Sequence, residues 1–296
     1  MKIVIAGGTG LIGSYLQNEF AKMNAEILVI SRQKNQVSWQ HDAIVSALEN
    51  ADLILNLAGK SINCRHNKKN KAEILESRIE STEKIGNAIL DCKNPPKLWI
   101  NVSASAIYSS LNKTPALETS TKFADDFLSF VVQSWEKSFF DFKLSNTRQV
   151  ALRTSVVLTK NGGVFTRLYQ LTKFGLGGKL GSGYQMFSWI HIEDYYRMIV
   201  HLINDERIRG VVNCTSPQPI TNIRLMENFR QCLGVKIGIP APEFAIKIAA
   251  KLIGTEPSLI LNSCSLYPKV ILQSGFIFKY VTIQKAIISF LNKKPE

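Results

Sequence analysis

No run of apolar residues in the chain approaches the roughly 18 that a membrane-spanning helix requires, so no span is expected. No C-x-x-C pair occurs. The five cysteines, Cys64, Cys92, Cys214, Cys232 and Cys264, are odd in number and widely spaced. That argues against a disulfide framework and a zinc site, so no metal is expected, and it suits a reducing cytoplasm. No cleavage pattern separates the strand-like run Ile3-Val4-Ile5-Ala6 from the glycines behind it, which argues against a signal peptide. Internal repeats and low-complexity stretches are absent. Acidic residues are few beside basic ones, 23 against 36, for a net charge of +13. An excess of that sign suggests either a nucleic-acid or membrane-surface partner or simply a lysine-rich surface. The lysines are scattered. The one dense basic cluster, Arg65, His66, Lys68, Lys69 and Lys71, lacks the interleaved aromatics of a single-strand stacking platform. Nucleic acid is therefore not expected as a partner, and a basic cleft for an anionic cofactor or substrate uses part of the charge.

What is present is an ordinary globular composition, 45% hydrophobic and 20% charged over 296 residues, enough for one large domain or a large and a small one. Apolar runs predict strands at 2–6, 26–30, 53–57, 97–102 and 149–158. Helical patterns fall at 12–22, 71–90 and 127–142. Near-continuous apolar strands alternating with helices predict an α/β fold with a parallel sheet covered on both faces. Beyond about residue 159 glycine and proline punctuate the chain, as expected for substrate-side insertions woven onto the first domain. An amphipathic helix is expected at 242–254, packed on the protein's own core in preference to a membrane.

The run Gly7-Gly8-Thr9-Gly10-Leu11-Ile12-Gly13 follows the first strand and opens a helix. In that context its glycine spacing predicts a Rossmann-type, doubly wound dinucleotide site. One glycine permits a tight turn, one lets the backbone approach a pyrophosphate, and one lets helix and strand pack closely. The amides of the first helical turn then face the phosphates. The second strand ends at Ile30-Ser31-Arg32, without the acid that usually binds a ribose 2′-hydroxyl. Ser31 can donate to a 2′-phosphate and Arg32 can pair with it, so the expected cofactor is NADP; otherwise Arg32 is a solvated strand-end arginine.

The phrase Gly7–Gly13 resembles the extended short-chain dehydrogenases/reductases, and the rest of the chain resembles one atypical branch of them. Asn56-Leu57-Ala58-Gly59 with Ser61-Ile62, Ser77-Arg78 with Thr82, and Trp135-Glu136 look like that branch's motifs. So do Leu152-Arg153-Thr154-Ser155-Val156-Val157-Leu158 with Gly162-Gly163, then Gly175-Leu176-Gly177-Gly178 and Gly181-Ser182-Gly183. Ser188-Trp189-Ile190-His191-Ile192-Glu193-Asp194 and the stretch 210–222 fit as well. The chain is similar over essentially its whole length to epimerase-family proteins called NAD-dependent epimerase/dehydratase or nucleoside-diphosphate-sugar epimerase-like. The resemblance implies an NADP-binding Rossmann domain over 1–239 and a small C-terminal domain of unknown function over 240–296. It implies cofactor contacts from Gly7, Thr9, Gly10, Leu11, Ile12, Gly13, Ser31, Arg32, Ala58, Gly59, Glu73, Arg78 and Val157. Arg78 either aims its guanidinium at the cofactor or pairs with Glu73 or Glu83.

Short-chain reductases usually pair a Tyr with a Lys four residues later on one helix face, lowering the phenol's pKa. By the family's spacing Leu128 and Val132 occupy those positions, and neither transfers a proton. Tyr169 with Lys173 has the literal spacing but follows the 152–158 strand, so a surface or packing pair is expected. Ser103 and Ser105 supply strand-end hydroxyls. Ser105 and Tyr108 are the candidates to orient a substrate, with His191 and Asp194 a further pair and the lysine-bearing loop 175–183 a cover. Two functions follow: an NADP-dependent oxidoreductase or epimerase acting on a small, sugar- or nucleotide-linked molecule, or a non-catalytic NADP-binding redox sensor or scaffold.

Overall fold

A computed structural model describes residues 1–108 and 114–292 of the chain. Among them, six strands form one parallel sheet: β1 (Lys2–Ala6), β2 (Glu26–Ile30), β3 (Leu53–Asn56), β4 (Leu98–Asn101), β5 (Arg148–Thr154) and β9 (Gly210–Cys214). Their order is β2-β1-β3-β4-β5-β9. Between β5 and β9 the chain makes β6 (Val156–Leu158), β7 (Met186–Phe187) and β8 (Trp189–His191), and after β9 it makes β10 (Ile220–Thr221). β6 pairs with β8, and β10 with β7. This is the Rossmann-like α/β architecture that the alternation predicts.

Pleating sorts the strand residues between two helical layers. Ile3 and Ile5 of β1 meet Leu16 and Phe20 of α1 (Leu11–Ala21) and Met198 and Leu202 of α6 (Ile192–Asn204). Val4 and Ala6 face the other way, toward α2 (His41–Leu48), α3 (Lys68–Asp91) and Phe139 of α4 (Phe127–Asp141). Both faces of β3 and β4 are therefore buried, which is why their sequences carry no polar alternation. α3 starts ahead of the expected residue 71 because Asn67 caps it, its side chain accepting from the Asn70 amide at 2.9 Å.

The expected strand over 149–158 is two strands. At Ser155 the amide turns to Cys214 O (3.0 Å), and Val156 then donates to Ser188 O (3.2 Å), so the chain leaves the main sheet. It enters a second lobe built from α5 (Gly163–Lys173), α7 (Asn222–Leu233), α8 (Glu243–Ile253), α9 (Ser258–Leu261) and α11 (Ile283–Asn292), while α10 (Lys269–Gln273) packs back beneath the main sheet. Phe165, Leu225, Phe229, Ile287 and Phe290 share one cluster there. The segment beyond residue 240 also supplies Ile271, Phe276 and Phe278 to the cluster beneath the main sheet. Asp194, fully buried, secures that return: its carboxylate accepts from the Lys279 and Tyr280 amides (2.9 and 2.8 Å) and pairs with Arg197 (2.8 Å). α8 packs inward only through Ile246 and Ala250, so its apolar surface exceeds what the core accepts. Among the described residues, no helix is long and apolar enough to cross a membrane.

Candidate functional site

Register decides which strand ends meet. Ala6 lies opposite Ile30 on one side and Asn56 on the other, and Asn56 lies opposite Asn101. Gly7, Ser31, Leu57 and Val102 therefore leave the sheet side by side. β2 and β3 flank β1, so this edge is the switch point where open α/β sheets form a crevice.

At Gly7 the backbone turns with φ +76°, and a Cβ there would stand 2.8 Å from Ala58 Cα and N. A Cβ on Gly13 would stand 2.4 Å from Gly8 O, so any larger residue separates α1 from the loop. Gln17 fastens that loop by donating to Gly8 O at 2.7 Å. Thr9, Gly10 and Leu11 form its exposed crest, while Ile12 packs with Val157 between the two lobes. The N-terminus of α1 has no side-chain cap and no acid in its first turn. Its first amides and the positive end of its dipole thus face outward, as a pyrophosphate requires.

Ser31 is buried at the end of β2, where its hydroxyl accepts from the Gln33 amide at 3.0 Å. Arg32 beside it is exposed and has no ion-pair partner among the described residues. At the end of β3, Asn56 donates to Asn101 Oδ1 (2.8 Å) and accepts from the Ala58 amide (3.0 Å), which fixes the turn that approaches Gly7. Arg78 reaches from α3 against Gly59: a Cβ on that glycine would stand 3.2 Å from the guanidinium carbon. The guanidinium donates to Lys60 O (3.1 Å) and Ile74 O (2.8 Å) and lies over Trp135. No carboxylate pairs with it among the described residues. Burial pulls its pKa down to about 10. Glu73, the expected alternative partner, is held by Lys60, and that pair keeps its carboxyl below the ordinary range. A desolvated cation without an acid, beside an uncapped helix N-terminus and a glycine cradle, fits an anionic dinucleotide.

Below the candidate substrate edge lies a cluster that the sequence reading missed. Glu136 of α4 receives Arg153 Nε at 2.8 Å and Nη2 at 2.7 Å, a bidentate pair, and also the Ser103 hydroxyl at 2.5 Å. Arg153 also donates to the Tyr108 hydroxyl, which donates to Leu117 O at 3.1 Å. Tyr108 is 1% exposed, and burial pushes its phenol up to about 12 against the pull of Arg153. Its hydroxyl therefore points into the protein. Ser105, three residues earlier on the same short 3₁₀ turn, is half-buried, and its hydroxyl has no partner among the described residues. Val132, which the family's spacing is expected to put at the lysine position, packs with Ile107, Tyr108 and Leu266. The available signal for the cluster was a lone acid and a lone base interrupting apolar faces, Trp135-Glu136 and Leu152-Arg153.

The remaining candidates have structural employment. His191 caps α6, its Nδ1 accepting from the Glu193 amide (3.0 Å) and its Nε2 meeting Ser289 Oγ (3.0 Å), with Tyr280 and Phe290 stacked on its ring. Asp194 serves the C-terminal backbone, as described above. Tyr169 stacks on Phe165 inside the second lobe, and Lys173 is exposed. The loop after β3 is roofed by the chain following α8: Thr255 Oγ1 donates to Asn63 Oδ1 (2.7 Å), and the His66 amide donates to Glu256 (2.6 Å).

Comparison with known proteins agrees with this fold. Residues 3–126 match the NAD dependent epimerase/dehydratase family, and residues 241–289 match a domain of unknown function, DUF1731. Epimerase family protein SSP1921 of Staphylococcus saprophyticus is 32% identical, the match covering 96% of this chain and 97% of that one. Epimerase family protein SA0724 of Staphylococcus aureus is likewise 32% identical, over 96% and 97%. A crystal structure of human epimerase family protein SDR39U1 (isoform 2) with NADPH superposes with a TM-score of 0.89 at 30% identity, covering 98% of this chain and 99% of that one. From the glycine loop to the C-terminal domain, then, the chain belongs to the epimerase family of NAD dependent epimerases/dehydratases, an atypical branch of the short-chain dehydrogenases/reductases.

Proposed function

We propose that this protein binds NADP(H) in preference to NAD(H) and works as an atypical short-chain oxidoreductase or epimerase on a small sugar- or nucleotide-linked molecule. The observation that carries the cofactor half is the cradle at the end of β1. Gly7 and Gly13 admit no side chain, and Thr9 to Gly13 lead into an uncapped helix. Arg78 stands desolvated, with no acid to neutralise it among the described residues. The 2′-phosphate preference rests on Ser31 and the exposed, unpaired Arg32 where an acid would serve NAD. The human relative solved with NADPH supports the same reading.

In this reading the Gly10–Gly13 amides and Arg78 bind the pyrophosphate, and Ala58 and Gly59 line the adenosine ribose. Glu73 acts through Lys60, and Val157 packs beneath the nicotinamide end. The bound cofactor supplies hydride chemistry. Ser105 presents its free hydroxyl to a substrate oxygen. Tyr108 is a positioning residue that holds the 3₁₀ turn through Arg153 instead of exchanging a proton, because a phenol near 12 is a poor acid or base at neutrality. A second reading, a non-catalytic NADP sensor, draws on Val132 occupying the lysine position inside an apolar cluster.

Fluorescence titration tests the cofactor claim. NADPH is expected to bind at least tenfold tighter than NADH, and Arg32→Ala to abolish the difference. Equal affinities in the unaltered protein would refute it. A screen of carbonyl and sugar-nucleotide compounds, following NADPH absorbance, separates the two readings: turnover lost in Ser105→Ala with NADPH binding intact establishes catalysis.

A further inference from the structure

α8 turns most of its apolar surface outward. Phe244, Ile248 and Leu252 recur every four residues and so share one face, and they are 68%, 57% and 82% exposed; Ile253 at the helix end is 70% exposed. A helix that merely covers a core hides such a stripe. Further exposed apolar residues lie on the run that leads into the helix and on the loop paired with it. The run before α8 pairs with the loop after α5, Ile239 donating to Gly175 O at 2.8 Å and Gly178 donating to Ile239 O at 3.1 Å. Phe174, Leu176 and Ile239 on these two runs are exposed as well. Single exposed apolar residues are ordinary, but three large ones along one helix face mark a surface that meets something.

Charge identifies what it meets. Lys247 and Lys251 lie beside the stripe on α8 at helical spacing, and the exposed Lys173 and Lys179 lie at the end of α5 and in the loop paired with the run before α8. Glu243, the acid of α8, is already paired with Lys247 at 2.7 Å. The whole chain carries +13. A second copy would bring the same lysines and the same net charge against this face, which opposes association. Large apolar side chains rimmed by lysines, on a helix lying along the surface, match a bilayer with anionic headgroups.

We infer that α8 and the adjoining 174–179 loop dock this protein peripherally on an anionic lipid surface. Phe244, Ile248 and Leu252 enter the boundary between headgroups and acyl chains; Lys251 meets lipid phosphates, and so does Lys247 once it exchanges its exposed, weak pair with Glu243 for a phosphate. The inference is independent of the cofactor reading, since none of these residues lies in the glycine cradle.

Flotation of the full chain with extruded vesicles tests it, using phosphatidylcholine alone and phosphatidylcholine with an equal part of phosphatidylglycerol. At physiological ionic strength binding to the anionic vesicles is expected, with neutral vesicles at least about tenfold weaker. Leu252→Asp and Ile248→Asp should each lower binding about tenfold or more. Lys247→Gln and Lys251→Gln should each lower it about fivefold on anionic vesicles only. All four positions are exposed, so the thermal midpoint should stay at the parent value, which separates lost docking from lost folding. Failure to float with anionic vesicles overturns the inference, and so does undiminished binding by the aspartate variants. A sedimentation-velocity dimer that Leu252→Asp dissociates also overturns it, assigning the face to a second copy.

Discussion

Replacing Glu136 with glutamine should destabilise the protein more than any surface change and nearly as much as removing a large core side chain. The carboxylate is buried and receives three donors, two from Arg153 at 2.7 and 2.8 Å and one from Ser103 at 2.5 Å. Arg153 is itself only 4% exposed. Glu136→Gln keeps the shape but leaves the guanidinium in the interior without its counter-charge, and the new amide nitrogen opposes one of its N–H groups. Breaking a buried pair from one side costs about 3–5 kcal/mol. At roughly 2–4 °C per kcal/mol for a chain of this order, the thermal midpoint should fall by roughly 6–20 °C. Scanning calorimetry or circular dichroism would read this directly. The double replacement Glu136→Leu with Arg153→Leu removes both charges and should recover most of the loss, because burying a pair yields little net stability over apolar packing. A Glu136→Gln protein within about 1 kcal/mol of the parent would refute the reasoning, as would a double variant no better than the single.

Arg78→Met separates ligand binding from structure. Removing an unneutralised, desolvated charge should leave stability within about 1 kcal/mol of the parent, while NADPH affinity measured by titration drops at least about tenfold. Loss of stability with affinity retained would make Arg78 structural. Gly13→Ala forces a Cβ to within 2.4 Å of Gly8 O, so α1 must shift; NADPH binding should be lost and the thermal midpoint lowered, by about 1–3 kcal/mol of strain. Tyr108 gives a pH signature. Its phenol titrates near 10 when unfolded and about 12 when folded, so the folded form holds the proton longer. Its contribution is complete below pH 10 and is lost as pH rises toward 12, roughly 2–3 kcal/mol in all. Urea unfolding of Tyr108→Phe should therefore show a shallower fall over that window than the parent, and parallel curves would contradict it.

The local shape of the candidate cofactor edge was legible because it depends on short spacings. Gly7, Gly10 and Gly13 sit within two turns of chain, and Ser31-Arg32 follow a strand whose end is visible in the apolar pattern. By the family's spacing Leu128 and Val132 stand where the usual proton-transfer pair is expected, and that expectation came from the sequence alone. Arg78 was legible as a choice between two roles, and the structure narrowed it by giving Glu73 to Lys60. Tyr108 was less legible. Its position beside a strand end suggested a substrate-facing phenol, but a sequence does not reveal that a base from another strand turns the hydroxyl inward.

The order of residues by itself determined the alternating parallel sheet, the glycine cradle and the acid-free end of β2, since each is written in local periodicity or in neighbours a few positions apart. Tertiary structure alone decided the pairing of Glu136 with Arg153, 17 residues apart and on different elements, and with it the burial of Tyr108. It decided the break at Ser155, where a choice between hydrogen-bond partners on β9 and before β8 divides one apolar run between two sheets. It also decided which part of α8 faces outward, because amphipathicity shows that a helix has an apolar side while only the surrounding packing shows how much of that side is covered.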